Sequence, residues 1–393
     1  MSATPTGLAK GCAHSCARTL PHVGRYRVEL ANDWQDALSR WNDLGLATPF
    51  QDLRWLSAWY EFFTSDPAIT ALIAIVFDIA TSELVIALPF VRHVQNGVRV
   101  IEFADLNLTD YNAPLLGPMA PYDLANSCEL WRVLRRALRQ VPGGADLIRL
   151  RKMPDQIGGR VNPLALLAQA GPCALNGNIV MTGDDFEAWR FTLERTVRKE
   201  LKRSWRVFTR EAQAGFEVVS NPTEALRLFS IMEIQQEFRM KSLGHNFSLN
   251  DTTTAAFYRR IVEQVVNGFA VVSALKDGNN IVATLLGIRS GDHYVMIRIS
   301  NAGDRWSKCS PGRLIIERTM EVLHKDGVRY FDFSIGNYAY KRRFGVVVID
   351  LVELSAAINW RGWPYLLHDR VALWLRRHPT IEKHVRRILR KQS

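Results

Sequence analysis

Long apolar runs are missing from this 393-residue chain. The best candidate, ITALIAIVFDIA, falls short of the roughly 18–20 residues a membrane span needs and contains Asp78. No continuous apolar segment opens MSATPTGLAKGCAHSCARTL, so no secretory signal is expected and residues 1–24 read as a loose tail. Cysteine is scarce and odd in number, five in all, which argues against a disulfide framework and for a reducing cytoplasm. Cys12, His14 and Cys16 cluster as CAHSC. A zinc site needs a fourth ligand and usually a second paired motif, and neither is present, so no metal is expected. HExxH, a Ser-His-Asp order and paired glycosidase carboxylates are also lacking.

What is present is a large core. Apolar residues make up 47% and charged residues 23% of the chain, a balance that excludes disordered and fibrous classes. The net charge of +11 is uneven. Residues 364–393 hold eight Lys/Arg against Asp369 and Glu382, with Val371, Leu373, Trp374, Leu375, Val385, Ile388 and Leu389 as an apolar side. Such an element suits an anionic membrane face, a partner, or packing on the body with its charges solvated. The run RTVRKELKRSWR (195–206) spaces Val197, Leu201 and Trp205 four apart, which predicts a helix with one apolar face and a solvated basic one. Nucleic-acid binding is the alternative.

The two halves share one order of elements. In the second, NPTEALRLFSIMEIQQEFRMK reads as a helix capped by Asn221 with Pro222 at its first position. DTTTAAFYRRIVEQVVNG reads as another, from Asp251 to Gly268. Strands FAVVSALK, NIVATLLGIRS and HYVMIRIS follow, joined by DGN and SGD turns as an antiparallel meander. Then come a helix from Pro311, a strand ending at Asp332, and VVVIDLVEL. The first half runs from strand YRVEL through helices near NDWQDALSRWNDL and DLRWLSAWYEFF. Strands TALIAIVFD, ELVIALPFVRHV and VRVIEFA, helix LWRVLRRALRQV and strand ADLIRLRKM complete it. This predicts an α/β (α+β) duplication with a join within 171–190.

Two stretches carry candidate chemistry. In CSPGRLIIERTMEVLHKDG, Ser310 is a cap candidate, Pro311 suits the first helical position and Gly312 lets a ligand approach the backbone. Free N–H groups and the helix dipole favour a pyrophosphate there, with Arg313 available for a direct contact. An ordinary capped helix is the plainer reading. In DFSIGNYAYKRRFG, Asp332 shares a strand face with Tyr330 and Ser334 and not with Phe331 and Phe333, so it points away from the helix-covered side.

The pattern Asp332-Phe333, Gly336, Tyr340-Lys341, Phe344, with SPGRLI upstream and PFQDLRWLSAW and LTDYNAPLL in the first half, resembles the GNAT acetyltransferases linked to cellulose and exopolysaccharide biosynthesis. These are similar to Fem-type aminoacyltransferases. The resemblance covers about residues 25–350. It implies two tandem GNAT-like lobes, each a mixed, largely antiparallel sheet flanked by helices: residues 25–178 on the acceptor side and 179–355 holding the donor. Residues 1–24 and 356–393 are the tails.

It further implies a cytoplasmic N-acyltransferase, with possible peripheral contact at the inner membrane face or with a synthase complex. Acetyl-CoA or another acyl-CoA would lie on Ser310, Pro311, Gly312, Arg313 and Leu314. The acceptor would be an amine on a sugar or polysaccharide precursor, attacking the thioester directly. Proton removal and oxyanion support fall to Asp332, Tyr340 and Lys341, against the plainer reading of an Asp332–Lys341 salt bridge that pins the loop. Tyr338 would stack on the substrate, while Asp110, Tyr111, Arg239 and His245 would line the acceptor cleft. The family's Arg/Gln-x-x-Gly-x-Gly/Ala loop is replaced here by KCSPGR, so an aminoacyl-tRNA donor stays open. A non-catalytic scaffold of a polysaccharide synthase is the remaining alternative.

Overall fold

A computed structural model describes residues 18–19, 24–39 and 45–378. The CAHSC cluster and the basic segment 379–393 lie outside the described residues. Twelve strands of two lobes build one sheet. They are β1 (Tyr26–Ala31), β2 (Ile69–Asp78), β3 (Leu84–Gln95), β4 (Val98–Phe103), β5 (Leu147–Pro154) and β6 (Gly171–Met181). The second lobe adds β7 (Ala214–Val219), β8 (Ala270–Asp277), β9 (Asn280–Ser290), β10 (His293–Asn301), β11 (Tyr330–Asp332) and β12 (Val347–Ala357). Their order is β1-β2-β3-β4-β5-β12-β6-β11-β10-β9-β8-β7, and two-residue strands at Arg18–Thr19 and Leu115–Leu116 attach to β1 and β3.

Each lobe runs as an antiparallel meander, a helix, and a return strand parallel to the meander's last. β4 pairs in parallel with β5 through Val100↔Leu147 and Ile101↔Ile148. β10 pairs in parallel with β11 from His293↔Tyr330 to Val295↔Asp332. The crossover helices are α2 (Leu124–Leu138) and α6 (Pro311–Lys325), and the helices before the meanders are α1 (Leu53–Phe63), α4 (Pro222–Ser242) and α5 (Thr252–Glu263). Helix α3 (Arg195–Phe208) packs on the second lobe, with Val197, Leu201 and Phe208 in one apolar cluster with Leu314 and Ile315 of α6. The expected duplication is therefore present as a repeated topology.

Local chemistry sets the helix ends. Asp52, Asp123, Asn221 and Asp251 each accept a backbone N–H of the first turn, the role a short polar side chain plays best, at α1, α2, α4 and α5. Pro222 occupies the first position of α4, where its missing N–H is not needed. Gly268 ends the turn after α5 at φ +72°, a left-handed conformation glycine takes freely. Near NDWQDALSRWNDL the described helix is short, Trp34–Leu38.

The lobes are joined by more than a linker. β12 pairs with β5 of the first lobe on one side and β6 on the other, and β6 then pairs with β11. The expected join at 178/179 thus falls inside a strand. Across one face, α1 packs on α5 with Trp55 edge-on to Phe257 at 4.9 Å, in an apolar cluster drawing on both lobes.

Candidate active site

Parallel pairing of β10 and β11 stops at Val295↔Asp332, yet β10 runs on to Asn301. Beyond Asp332 the chain follows β6 instead, Phe333 N–H donating to the Asn178 carbonyl at 2.7 Å. A wedge-shaped gap therefore opens beside Met296–Asn301, and among the described residues no strand pairs with that edge. The Gln236 amide reaches across to the Ile299 carbonyl at 2.9 Å. Pairing with β9 shifts between Leu286↔Arg298 and Gly287↔Met296, making Ile297 a bulge residue whose backbone leaves the ladder.

The N-terminus of α6 lies at the wide end of this gap. A Cβ placed on Gly312 would come no closer than 3.8 Å to Asn301 and Ile299. Ser310 occupies the cap position at φ +47° but makes no side-chain cap hydrogen bond. The expectation that its hydroxyl caps α6 is corrected: in this left-handed turn it accepts from Arg313 Nη2 at 2.9 Å. Arg313 is likewise engaged, donating to Glu200 of α3 at 2.8 Å, and Arg343 donates to the same carboxylate oxygen at 2.8 Å. The two guanidiniums hold the Glu200 carboxyl below its ordinary pKa. The Arg313 and Leu314 N–H groups donate to the Ser310 carbonyl at 3.0 and 3.1 Å, leaving the Gly312 N–H, the positive helix end and the nearby pair of arginines as the electropositive feature.

In the first lobe the matching gap is filled by its own chain. Lys152, on β5 at φ +58°, donates to Asp105 at 2.8 Å and to the Thr109 carbonyl at 2.5 Å. Asn112 N–H donates to the Lys152 carbonyl at 3.0 Å, its side chain to the Arg151 carbonyl at 3.0 Å. Asp123 caps the crossover helix α2. Loop 104–112 thus bonds to the end of β5, and β4, the counterpart of β10, stops at Phe103, two residues past its last pairing with β5.

The acid-to-lysine loop lies at the gap's closed end. Asp332 faces away from Phe331 and Phe333, as expected, but is only 1% exposed. Tyr111 of the first lobe covers it, donating at 2.8 Å, while Ser334 N–H donates to the same oxygen at 2.5 Å. His293 stands 3.7 Å from the other oxygen. Tyr111 lies against Gly177, where a Cβ would meet its hydroxyl at 2.4 Å, and burial pushes its phenol well above the usual range. An open base at Asp332 is therefore not what the fold presents.

Lys341, 2% exposed, does not pair with Asp332. It donates to the carbonyls of Ser334 at 3.1 Å and Ile335 at 2.7 Å, holding the loop by its backbone. Burial drives its amine down to about 8 against the opposing pull of Asp332 and Asp110.

Asp110 keeps part of its surface exposed and accepts the Ser334 hydroxyl, which a φ of +66° turns toward the first lobe. Burial pushes its carboxyl up to about 6; the Ser334 bond and Lys152 oppose the rise, Asp332 and Asp105 add to it. A partly accessible carboxyl that titrates near neutrality is equipped to take a proton.

Tyr340 is half-buried, stacked on the exposed Tyr338 with ring centres 6.1 Å apart. Burial pushes its phenol up to about 12, with Arg239 opposing. Arg239 and His245 are exposed at and just past the end of α4. The structure thus gathers Asp110, Tyr111, Asp332 and Lys341 at the lobe seam, sets Ser310–Leu314 at the mouth of the gap, and leaves His245 outside both groups. Sequence reasoning missed Glu200, Arg343, Ser334 and Ile297. For the Glu200 pairing no local pattern gives a signal, because its partners lie 113 and 143 residues away, and the bulge at Ile297 depends on the register with β9.

Residues 195–342 match a family model described as an acetyltransferase (GNAT) domain. No curated protein sequence matches the chain. Among solved structures, that of FemX superposes with a TM-score of 0.56 at 10% identity, covering 82% of this chain and 95% of that one. A conserved protein of unknown function from Bacteroides thetaiotaomicron reaches 0.49 at 10% identity over 84% and 99% of the chains. A tandem GNAT protein from the clavulanic acid biosynthesis pathway reaches 0.45 at 11% identity over 84% and 99%. The last two scores are too low to bear weight, and at 10% identity the FemX likeness speaks to fold alone. The chain thus has a two-lobed fold similar to that of FemX, and within its second lobe residues 195–342 match the GNAT acetyltransferase domain model.

Proposed function

We propose that the protein transfers an acyl group, acetyl in the first instance, from coenzyme A to an amine on a sugar or polysaccharide precursor. One observation carries this reading: the edge of β10 beyond Val295 is left open and leads to the start of α6, which lacks a side-chain cap, while the first lobe's β4 stops at Phe103 and its following loop bonds to the end of β5. The donor supplies an activated thioester. The Gly312 N–H at the positive end of α6, with Arg313 and Arg343 nearby, holds its phosphates. The Ile297 N–H, freed by the bulge, faces the developing oxyanion. Asp110, rather than the sealed Asp332, takes the ammonium proton, and Tyr340, protonated at neutral pH, returns one to the departing thiolate. Tyr338 offers a ring for a sugar face. Asp332, Tyr111 and Lys341 position the seam on which Asp110 and Ser334 rest.

The test is thermal protection by acetyl-CoA and longer acyl-CoAs, followed by mass spectrometry of amines incubated with the protein. Absence of protection across that panel defeats the proposal. Gly312→Ala sharpens it. The added methyl meets only ordinary contacts, so melting temperature should hold or rise slightly, while acyl-CoA protection falls because the methyl points where phosphates approach.

A second reading is favoured by one observation. α3 exposes Arg195, Lys199, Lys202, Arg203 and Arg206 and reaches the α6 start through Glu200. An aminoacyl-tRNA donor would use that face and predicts tRNA binding that weakens steeply with salt.

A further inference from the structure

Helix α7 (Trp363–Arg377) has two apolar sides, and the fold uses one. Its inner side is fixed to the middle of the sheet. Leu366 is buried there. Asp369 accepts from Arg149 Nε at 2.9 Å and from the Ser355 hydroxyl at 2.7 Å. Leu373 packs over Gly171, where a Cβ would meet it at 2.4 Å. Arg376 donates to the Pro172 carbonyl at 2.7 Å and pairs with Glu353 at 2.7 Å. The helix is therefore held rigidly, and its outer side is fixed with it.

That outer side carries Trp363, Leu367, Val371 and Trp374, which are 59%, 63%, 49% and 49% exposed. Spacings of four, four and three place them within about 80° of one another around the helix. Trp360, in the turn before α7, is 78% exposed. Arg361 and Arg370 are exposed in the same stretch. Isolated surface apolar residues need no explanation, but a contiguous aromatic stripe marks an interaction surface.

We propose that this face docks on an anionic lipid bilayer. Tryptophan is the side chain that gains most at the headgroup level, with a large apolar ring and one N–H donor. Leu367 and Val371 reach the acyl boundary between the tryptophans, and Arg361 and Arg370 pair with lipid phosphates. Two other occupants fit less well. A second copy packed through the same face sets these arginines against their images, on a chain of net charge +11. Residues 379–393 carry five Lys/Arg and one Glu, so folding them onto the stripe also brings like charges together. An anionic plane attracts both. No helix among the described residues is long and apolar enough to cross a membrane, so the contact is peripheral. The proposal does not depend on the transferase reading.

The test is co-sedimentation of the full chain with vesicles of phosphatidylglycerol and phosphatidylcholine, or of phosphatidylcholine alone, at physiological salt. Wild type should bind the anionic vesicles, and vesicles with brominated acyl chains should quench its tryptophan fluorescence. Trp360→Ser/Trp363→Ser/Trp374→Ser should bind at least tenfold more weakly with an unchanged melting temperature, while Tyr122→Ser, an exposed aromatic elsewhere, should bind as wild type. If the triple variant misfolds, Arg361→Glu/Arg370→Glu should lose the preference for anionic vesicles. Wild type remaining in the supernatant with every vesicle overturns the proposal. So does equal binding by the folded triple variant, or light scattering showing that the stripe instead holds a dimer.

Discussion

Asp110→Asn should lower the rate of acyl transfer by about 10²–10⁴, the usual worth of a positioned general base, with donor binding unchanged and the protein more stable at neutral pH. Stability and activity move oppositely because burial raises the pKa. Asp110 titrates at about 6 in the fold against 3.8 when unfolded. Between those values the native state binds more protons than the unfolded one, so its stability falls as pH rises from about 4 to 6. Above that window the wild type holds an unfavourable buried charge that asparagine lacks, on the order of 3 kcal/mol at about 1.4 kcal/mol per pKa unit. The gain should vanish below pH 4. In pH–rate profiles the rising limb near 6 should be lost in the variant. A variant that transfers at the wild-type rate removes Asp110 from the chemistry.

Lys341→Ala should cost about 2–4 kcal/mol in chemical denaturation. The buried Ile335 carbonyl loses its donor, the Ser334 carbonyl keeps only Asn178, and a space is left beneath the loop. The wild type carries a matching pH signature. Its folded pKa of about 8 lies below the ordinary lysine value of 10.5, so the unfolded chain binds more protons between them. Stability attributable to this amine should therefore rise as pH goes from about 8 to 10.5. Lys341→Met should show no such rise. Unchanged stability in both variants would mean that the lysine does not hold the loop.

These expectations separate what was legible in the sequence from what was not. Asn221, Asp251 and Gly268 announce their helix ends because capping is settled within four residues, and DGN and SGD announce their hairpins for the same reason. The face of Asp332 was legible from strand alternation. Its burial was not, because the group that seals it, Tyr111, lies 221 residues away. Nor does VVVIDLVEL show that it will pair with ADLIRLRKM and weld two lobes into one sheet, since register across such distances depends on tertiary packing. Arg313 looked free for phosphate, and only the fold brings Glu200 to it. Within the site, the turn that starts α6 was readable from Ser-Pro-Gly. The proposed proton acceptor was not, because the raised pKa of Asp110 comes first from burial where the two lobes meet.

Backbone hydrogen exchange with and without acetyl-CoA tests the central claim most directly, since the open β10 edge and the start of α6 present N–H groups that a bound donor would cover. The account predicts slowed exchange at Ile297–Ile299 and Gly312 together, with loop 104–112 of the first lobe unchanged. Protection confined to the first lobe, or none at β10 and α6 under saturating acyl-CoA, would contradict it.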